Sequence, residues 1–273
     1  VQIFNNDQLI NRVEADLSPA NIYQDTFSTT TSFVPENIKV TVRDNKNNIL
    51  ISYQPDVKTD TEIPAAAKAA KAPKDIATAE ELYLNGLHLE QYRHATFSPV
   101  DYYQEALNRD HQDMRCNNAM GLLLLRKGKS KEAEPYFKIA KTRSTERNPN
   151  PYDGEIFYNL GLCLKMQNKT DQAYDVFYKA TWNDSWQHSS FFQLARLACI
   201  KNDFTDALYL IDKSIIKNYH SHSARHLKVA ILRKTGNIND ALQIIDDSLV
   251  IDKFNYGCLF EQFLIAKFND DQV

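Results

Sequence analysis

Up to about Gln54, apolar side chains recur at every second position. Ile38, Val40 and Val42 share one face of a predicted strand, and Ile49 and Ile51 resume the alternation beyond Asn45-Lys46-Asn47-Asn48, so the spacing predicts a hairpin. Val1 to Phe4, Gln8 to Ile10 and the aromatic and threonine-rich run from Tyr23 to Phe33 read as further strands, broken at Asn5-Asn6-Asp7 and Ser18-Pro19. Four or five short strands suggest a small β-sandwich-like domain, or a fragment of one, over residues 1–55. The next stretch, 56–76, contains Pro64-Ala65-Ala66-Ala67-Lys68-Ala69-Ala70-Lys71-Ala72-Pro73. Its side chains are too small to build a core, so a linker is expected, with room for a brief helix between its prolines.

From about Thr78 the period becomes that of a helix, and a longer period overlies it. Ala173, Ala207 and Ala241 are 34 residues apart, and each follows by twelve a slot holding Gly161, Ala195 or Val229. In that register Leu164, Ala198 and Leu232 come one turn after the slot. Asn168, Asn202 and Gly236 mark the turn between helices, and Phe177, Ile211 and Ile245 fill the second helix. An earlier unit places Gly121, Leu124, Gly128, Ala133, Phe137 and Ala140 at the same offsets, 40 residues ahead because Thr145 to Pro151 lengthen the connection. A divergent first unit supplies Gly86, Tyr103, Ala106 and Leu107, with one extra residue in its turn. A mainly α fold is therefore expected over 77–273: an α-solenoid of about five helix pairs plus a terminal helix near Tyr256 to Phe268, each unit burying its apolar face against a neighbour.

Tyr158-Asn159-Leu160-Gly161 and Asp171 to Ala180 carry the pattern most fully, and the array resembles the tetratricopeptide repeat over about 195 residues. The resemblance implies antiparallel helices that cross where small residues let the backbones approach. The usual closing proline is replaced by Thr145, Ser185, Tyr219 and Lys253, and Lys228 occupies a normally apolar slot. Gly86 to Phe97, together with Leu50 to Pro55 and Ala67 to Pro73, also resembles the C-terminal part of a bacterial family of uncharacterised function. Members of that family join an upstream mutarotase-like β-sandwich to a smaller β-domain and tetratricopeptide repeats. This likeness implies a non-catalytic accessory part of a larger cytoplasmic carbohydrate-modifying enzyme. The sugar chemistry would reside upstream, so no catalytic residue carries over.

Composition removes several classes. With 32 Lys+Arg against 35 Asp+Glu, a net charge of -3 leaves no general attraction for nucleic acid. No run of 18 apolar residues occurs and no basic, apolar leader precedes the strand-like start, so neither a membrane span nor a signal peptide is expected. Cys116, Cys163, Cys199 and Cys258 lie far apart without a CxxC pair and read as reduced thiols within helices. Only 7 glycines point away from an enzyme with phosphate loops. Gly128-Lys129-Ser130 ends like such a loop, but Leu123 stands where its first glycine is required. GxSxG, HExxH and GxGxxG are all absent, so no enzyme activity and no cofactor are expected. His222 and His226, in a cluster with His220, are four apart and could share a metal on one helix face. No nearby cysteine or carboxylate completes a shell, and no metal site is assigned. His88 and His94 are assigned to packing, and Glu90 with Arg93, three apart, to support of their own helix.

Stacked helix pairs form an inner wall from the exposed faces of their first helices. By register that wall presents Arg115, Asn118, Leu122, Leu125 and Arg126, then Glu155, Tyr158, Leu162, Lys165 and Met166. The next two helices add Ser189, Phe192, Arg196, Cys199 and Ile200, then Ser223, His226, Ala230, Arg233 and Lys234. Six basic side chains against Glu155 alone predict a basic groove with Tyr158, Met166 and Phe192 as apolar anchors. The function expected is a protein-binding scaffold that holds an acidic peptide or another domain of its own chain; the bland reading is a solvated helix face. A clamp for a chaperone's terminal carboxylate is not expected, because Asn118 is followed one turn later by Leu122. Self-association through the terminal helix is a further expectation, since no following repeat covers Leu259, Phe263 and Ile265.

Overall fold

A computed structural model describes residues 1–18, 22–28, 33–57, 68–93 and 95–270. Two compact units form, one built on Val1–Ala67 and the other on Lys68–Leu249 with Phe254–Val273.

The first unit is a four-stranded antiparallel sheet in the order β2-β1-β3-β4, with β1 Gln2–Asn5, β2 Gln8–Arg12, β3 Ile38–Arg43 and β4 Ile49–Tyr53. The expected β3–β4 hairpin pairs Val42 with Ile51 and Val40 with Tyr53. Its turn is held by the Asp44 carboxylate, which accepts from the backbone amides of Lys46 (2.9 Å) and Asn48 (2.8 Å), while Asn47 takes a φ of 68°. The Asn48 side-chain amide, which also donates to the carboxylate (2.9 Å), and then these backbone amides pull the Asp44 pKa below the usual carboxylate range. The architecture is a single sheet, and the strand expected over Tyr23 to Phe33 is not found across residues 22–28; residues 29–32 lie outside the described set. Ile22 and Tyr23 instead line a cavity of about 760 Å³ together with Ile3, Val40 and Val42 of the sheet.

The second unit contains five antiparallel helix pairs and a last helix. The pairs are α1 Ala79–Gln91 with α2 Pro99–Arg109, α3 Met114–Arg126 with α4 Ser130–Thr145, and α5 Glu155–Met166 with α6 Thr170–Ala180. They continue with α7 Asp184–Ile200 and α8 Phe204–Lys217, then α9 His222–Lys234 and α10 Ile238–Ile251; α11 spans Tyr256–Asp270. Within each pair a small slot residue meets a large residue of the second helix. A Cβ added at Gly86 would lie 2.4 Å from the Tyr103 ring, at Gly121 2.7 Å from Phe137, and at Gly161 2.5 Å from Phe177. In the last two pairs the slot grows to Ala195 and Val229, and the filler shrinks to Ile211 and Ile245; all four are fully buried. At the Ala195–Ile211 crossing the larger slot residue and the smaller filler nearly offset one another. The small second-helix residues Ala133, Ala173, Ala207 and Ala241 are likewise fully buried.

The turn inside each pair is also repeated. Gly128, Asn168, Asn202 and Gly236 have φ of 75°, 59°, 58° and 81°, the left-handed conformation that closes a helix. The amide after each of them donates back to the last helical turn: Lys129 to Leu124 (3.0 Å), Lys169 to Leu164 (3.0 Å), Asp203 to Ala198 (3.0 Å) and Asn237 to Leu232 (2.9 Å). Arg93 holds the equivalent place after α1 with a φ of 48°.

The expected linker differs in its second half. Residues 68–77 dock on the first helix pair, where Ile76 is 1% exposed and packs with Leu82, Tyr102 and Tyr103. Tyr102 donates its hydroxyl to the Lys71 carbonyl (2.8 Å) and Arg109 donates to the Ile76 carbonyl (2.7 Å). One isoleucine among alanines and prolines suffices to anchor the segment, because it fills a pocket that the first pair, lacking a preceding repeat, leaves open. Residues 58–67, including Pro64 to Ala67, lie outside the described set.

Glu134 ties two neighbouring pairs together. Its carboxylate accepts from Lys138 (2.7 Å), Lys169 (2.6 Å) and the Gln167 amide (2.9 Å), which hold its pKa at about 2. A carboxyl held below its unfolded value stabilises fully above that value and loses its contribution as pH falls through the folded one. Stability is therefore expected to decline between about pH 4.5 and 2, and Glu134→Gln should flatten that limb in urea unfolding measured across the window. Gly161→Ala should cost about 1–3 kcal/mol by overpacking against Phe177. Adding Phe177→Ile should return much of the loss, as the Ala195–Ile211 pairing shows; chemical denaturation of the single and double variants checks it.

Candidate functional site

Successive first helices are neighbours in space: α3 touches α5, α5 touches α7, and α9 touches α11. Their outward faces form one wall, and polar side chains bridge its rows. Arg115 on α3 pairs with Glu80 on α1 and with Asp113, and its guanidinium lies 5.1 Å from the centre of the Tyr83 ring. Arg126, at the other end of α3, pairs with Glu90 on α1. Glu90 also accepts from the Tyr103 hydroxyl (3.1 Å). It therefore joins helices, whereas the sequence spacing assigned it to Arg93, which sits in the turn.

Asn118 is 9% exposed and donates to the Glu155 carboxylate (3.0 Å) while accepting from the Asn159 amide (3.0 Å), so it stitches α3 to α5. Tyr158 packs its ring against Phe177 (centroids 5.6 Å) and Trp186 (5.0 Å), which places it between repeats. At the far end, Glu261 on α11 is buried and receives both Arg233 and His226 of α9, the latter at 3.5 Å. His222 of the same helix meets the Asn255 amide (3.3 Å). Two members of the histidine cluster thus face α11, and among the described residues no group of three or more His, Cys, Asp or Glu could hold a metal. His88 packs its ring against Tyr92 (4.5 Å), and His94 lies outside the described set. Lys228 resolves its apolar slot by reaching Asp212 at 2.8 Å. The four cysteines are free, and burial pushes the Cys116 thiol up to about 12.

The middle of the wall differs in its chemistry. Lys165 on α5 donates to the Gln193 side chain on α7 at 2.5 Å, with no carboxylate opposite it. Its pKa is lowered to about 8, first by burial and then by the neighbouring charge of Arg196. Arg196 is exposed, has no carboxylate partner among the described residues, and rests over the Phe192 ring at 5.8 Å. Met166, 51% exposed, lies one position beyond Lys165. Lys234 is exposed as well. The wall expected to be basic is therefore divided: Arg115, Arg126 and Arg233 are neutralised by carboxylates on adjacent helices, whereas Lys165 and Arg196, close enough for the one charge to act on the other, have no carboxylate partner among the described residues. Glu80, Glu90 and Glu261 come from helices outside the four enumerated in the sequence, and that is why their neutralising effect was not visible there.

The protein is a tetratricopeptide-type α-solenoid preceded by a small antiparallel sheet. Its fold is similar to that of YrrB, described as a TPR protein with an unusual peptide-binding site, with a TM-score of 0.55 at 18% identity over 68% of this chain and 92% of that one. It is also similar to PilF of Pseudomonas aeruginosa (TM-score 0.59, 20% identity, 71% and 85% covered). A third likeness is to MamA of Desulfovibrio magneticus RS-1 (0.55, 13%, 65% and 97%). Residues 1–53 match the family model described as "YphG-like protein, second domain". No helix among the described residues is long and apolar enough to cross a membrane.

Arg126→Ala should leave the Glu90 carboxylate facing α3 alone and lower stability by about 1 kcal/mol or less, as for an exposed pair. The larger cost, about 2 kcal/mol or more, is expected from Glu261→Ala, which leaves Arg233 and His226 without their shared partner. Parallel denaturation curves of the two variants test this order.

Proposed function

We propose that the helical unit is a protein-binding scaffold whose recognition centre is the Lys165–Arg196 pair, flanked by Met166 and Phe192, and that its target is an acidic peptide segment. The observation that carries this reading is the Lys165 ammonium beside the Arg196 guanidinium on the wall, with no carboxylate paired to either among the described residues; burial first, and then the charge of Arg196, lowers the Lys165 pKa to about 8. An anionic side chain placed between them relieves that repulsion, and the adjacent apolar side chains take up its hydrophobic neighbours. Arg115, Asn118, Arg126, Tyr158, His226 and Arg233 hold the wall in shape; Lys234 extends its positive potential. The peptide-binding site named in the description of YrrB, on a similar fold, supports a peptide ligand. The four free cysteines support a reducing, cytoplasmic setting.

A second reading is that this segment shapes a larger carbohydrate-modifying enzyme without itself reacting. The match of residues 1–53 to a domain described as the second of its protein favours it. Sugar turnover by a chain that includes an upstream domain, with none by residues 1–273, would be its signature.

The first reading is tested by fluorescence anisotropy with a labelled peptide of alternating glutamate and leucine. Arg196→Glu should weaken binding roughly tenfold or more, as for loss of a charge pair with a repulsion added; unchanged binding sinks the proposal. Lys165 in the free protein gives up its proton near pH 8, and a bound carboxylate favours the protonated form. Affinity should therefore fall as pH rises through 8, by up to about tenfold per pH unit, and Lys165→Met should abolish that dependence.

A further inference from the structure

The two faces of α11, the last helix among the described residues, differ in their surroundings. One face of α11 is built in: Cys258, Glu261 and Ile265 are all less than a tenth exposed, and α11 packs on α9. Ile265, expected from sequence to be uncovered, belongs to this face. The opposite face carries Tyr256, Phe260, Phe263 and Lys267, spaced by four, three and four residues into one stripe. Tyr256 is 73%, Phe260 56% and Phe263 58% exposed, and Lys267 is exposed.

Among the described residues no second helix covers this stripe, and the repeat register bars one at the usual distance. Counting 34 residues on from Val229 puts Phe263 in the slot that holds glycine, alanine or valine in all five preceding pairs. Those slots are fully closed by the second helix of their own pair; a phenylalanine there blocks an approach at that distance. The face needs a partner that meets it at the wider spacing of large side chains. The stripe supplies such a partner in itself. About a two-fold axis between Glu261 and Gln262, an antiparallel copy sets Phe260 against Phe263 and Tyr256 against Lys267, so that rings meet rings and an ammonium meets an aromatic face at both ends.

We propose that α11 is a homodimerisation helix, pairing antiparallel with the α11 of a second copy through Tyr256, Phe260, Phe263 and Lys267. This is independent of the anion-binding wall, which involves α5 and α7.

Sedimentation equilibrium of the chain over a range of concentrations reads the association, and circular dichroism confirms that exposed-face variants keep their helix content. The wild type should be a dimer, and Phe260→Glu and Phe263→Lys should each weaken it at least about thirty-fold, the size of an interface hot spot. Mixing the two variants should restore the dimer, since the two-fold register sets the new glutamate of one against the new lysine of the other and leaves the remaining Phe pair intact. A wild-type monomer at every concentration overturns the proposal and gives the stripe to a different protein or another segment of this chain. A dimer untouched by either variant overturns it too, because the contact is then elsewhere. Failure of the mixture to restore association overturns the antiparallel register. If either variant loses helix content, Tyr256→Glu with Lys267→Glu, at the outer ends of the stripe, replaces it: a weakened dimer supports the pairing, and an unchanged one overturns it.

Discussion

The crossing of the two helices in each pair rests on one complementarity, a small side chain in the first helix opposite a large one in the second. Glycine faces Tyr103, Phe137 and Phe177 at distances that leave no room for a Cβ. Where alanine or valine takes the slot, isoleucine replaces the ring. In the Ala195–Ile211 pair the gain on one helix offsets the loss on the other, which is what close packing permits and a change on one side alone does not. At the end of each first helix of a pair, a residue of positive φ turns the chain back into the second. The first helices then line up as neighbours.

Everything on the wall follows from that alignment. Side chains that would be solvated on an isolated helix come within reach of the adjacent first helix, and most find a partner there. Arg115, Arg126, Asn118 and Arg233 act as rungs between rows. In the middle the pattern changes: Gln193 stands opposite Lys165, and a neutral amide cannot balance its charge. In the proposed scaffold, that local imbalance would give an acidic ligand its register as well as its attraction.

The helical periodicity, the 34-residue repeat, the turn positions and the β3–β4 hairpin were all legible along the chain. They depend on contacts between residues near in sequence, and such contacts leave a period. Glu90 shows the limit of that legibility. Its spacing to Arg93 looked sufficient, yet its carboxylate meets Arg126, 36 residues away. Tyr23 and its neighbours had the composition of a strand, but composition does not say whether a segment's backbone pairs with a neighbouring strand. Ile76 was hidden among alanines and prolines because a single anchoring residue has no periodicity.

By itself, then, the order of residues determined the secondary structure of the helical array and the places where its helices cross, since both follow from local geometry and side-chain volume. Which charges on the wall are balanced, which half of the supposed linker is docked, and which face of α11 is left open were decided only when distant segments met. Electrostatic and packing partners separated by a whole repeat are set by three-dimensional proximity, and proximity across a repeat is a property of the stack rather than of any one helix.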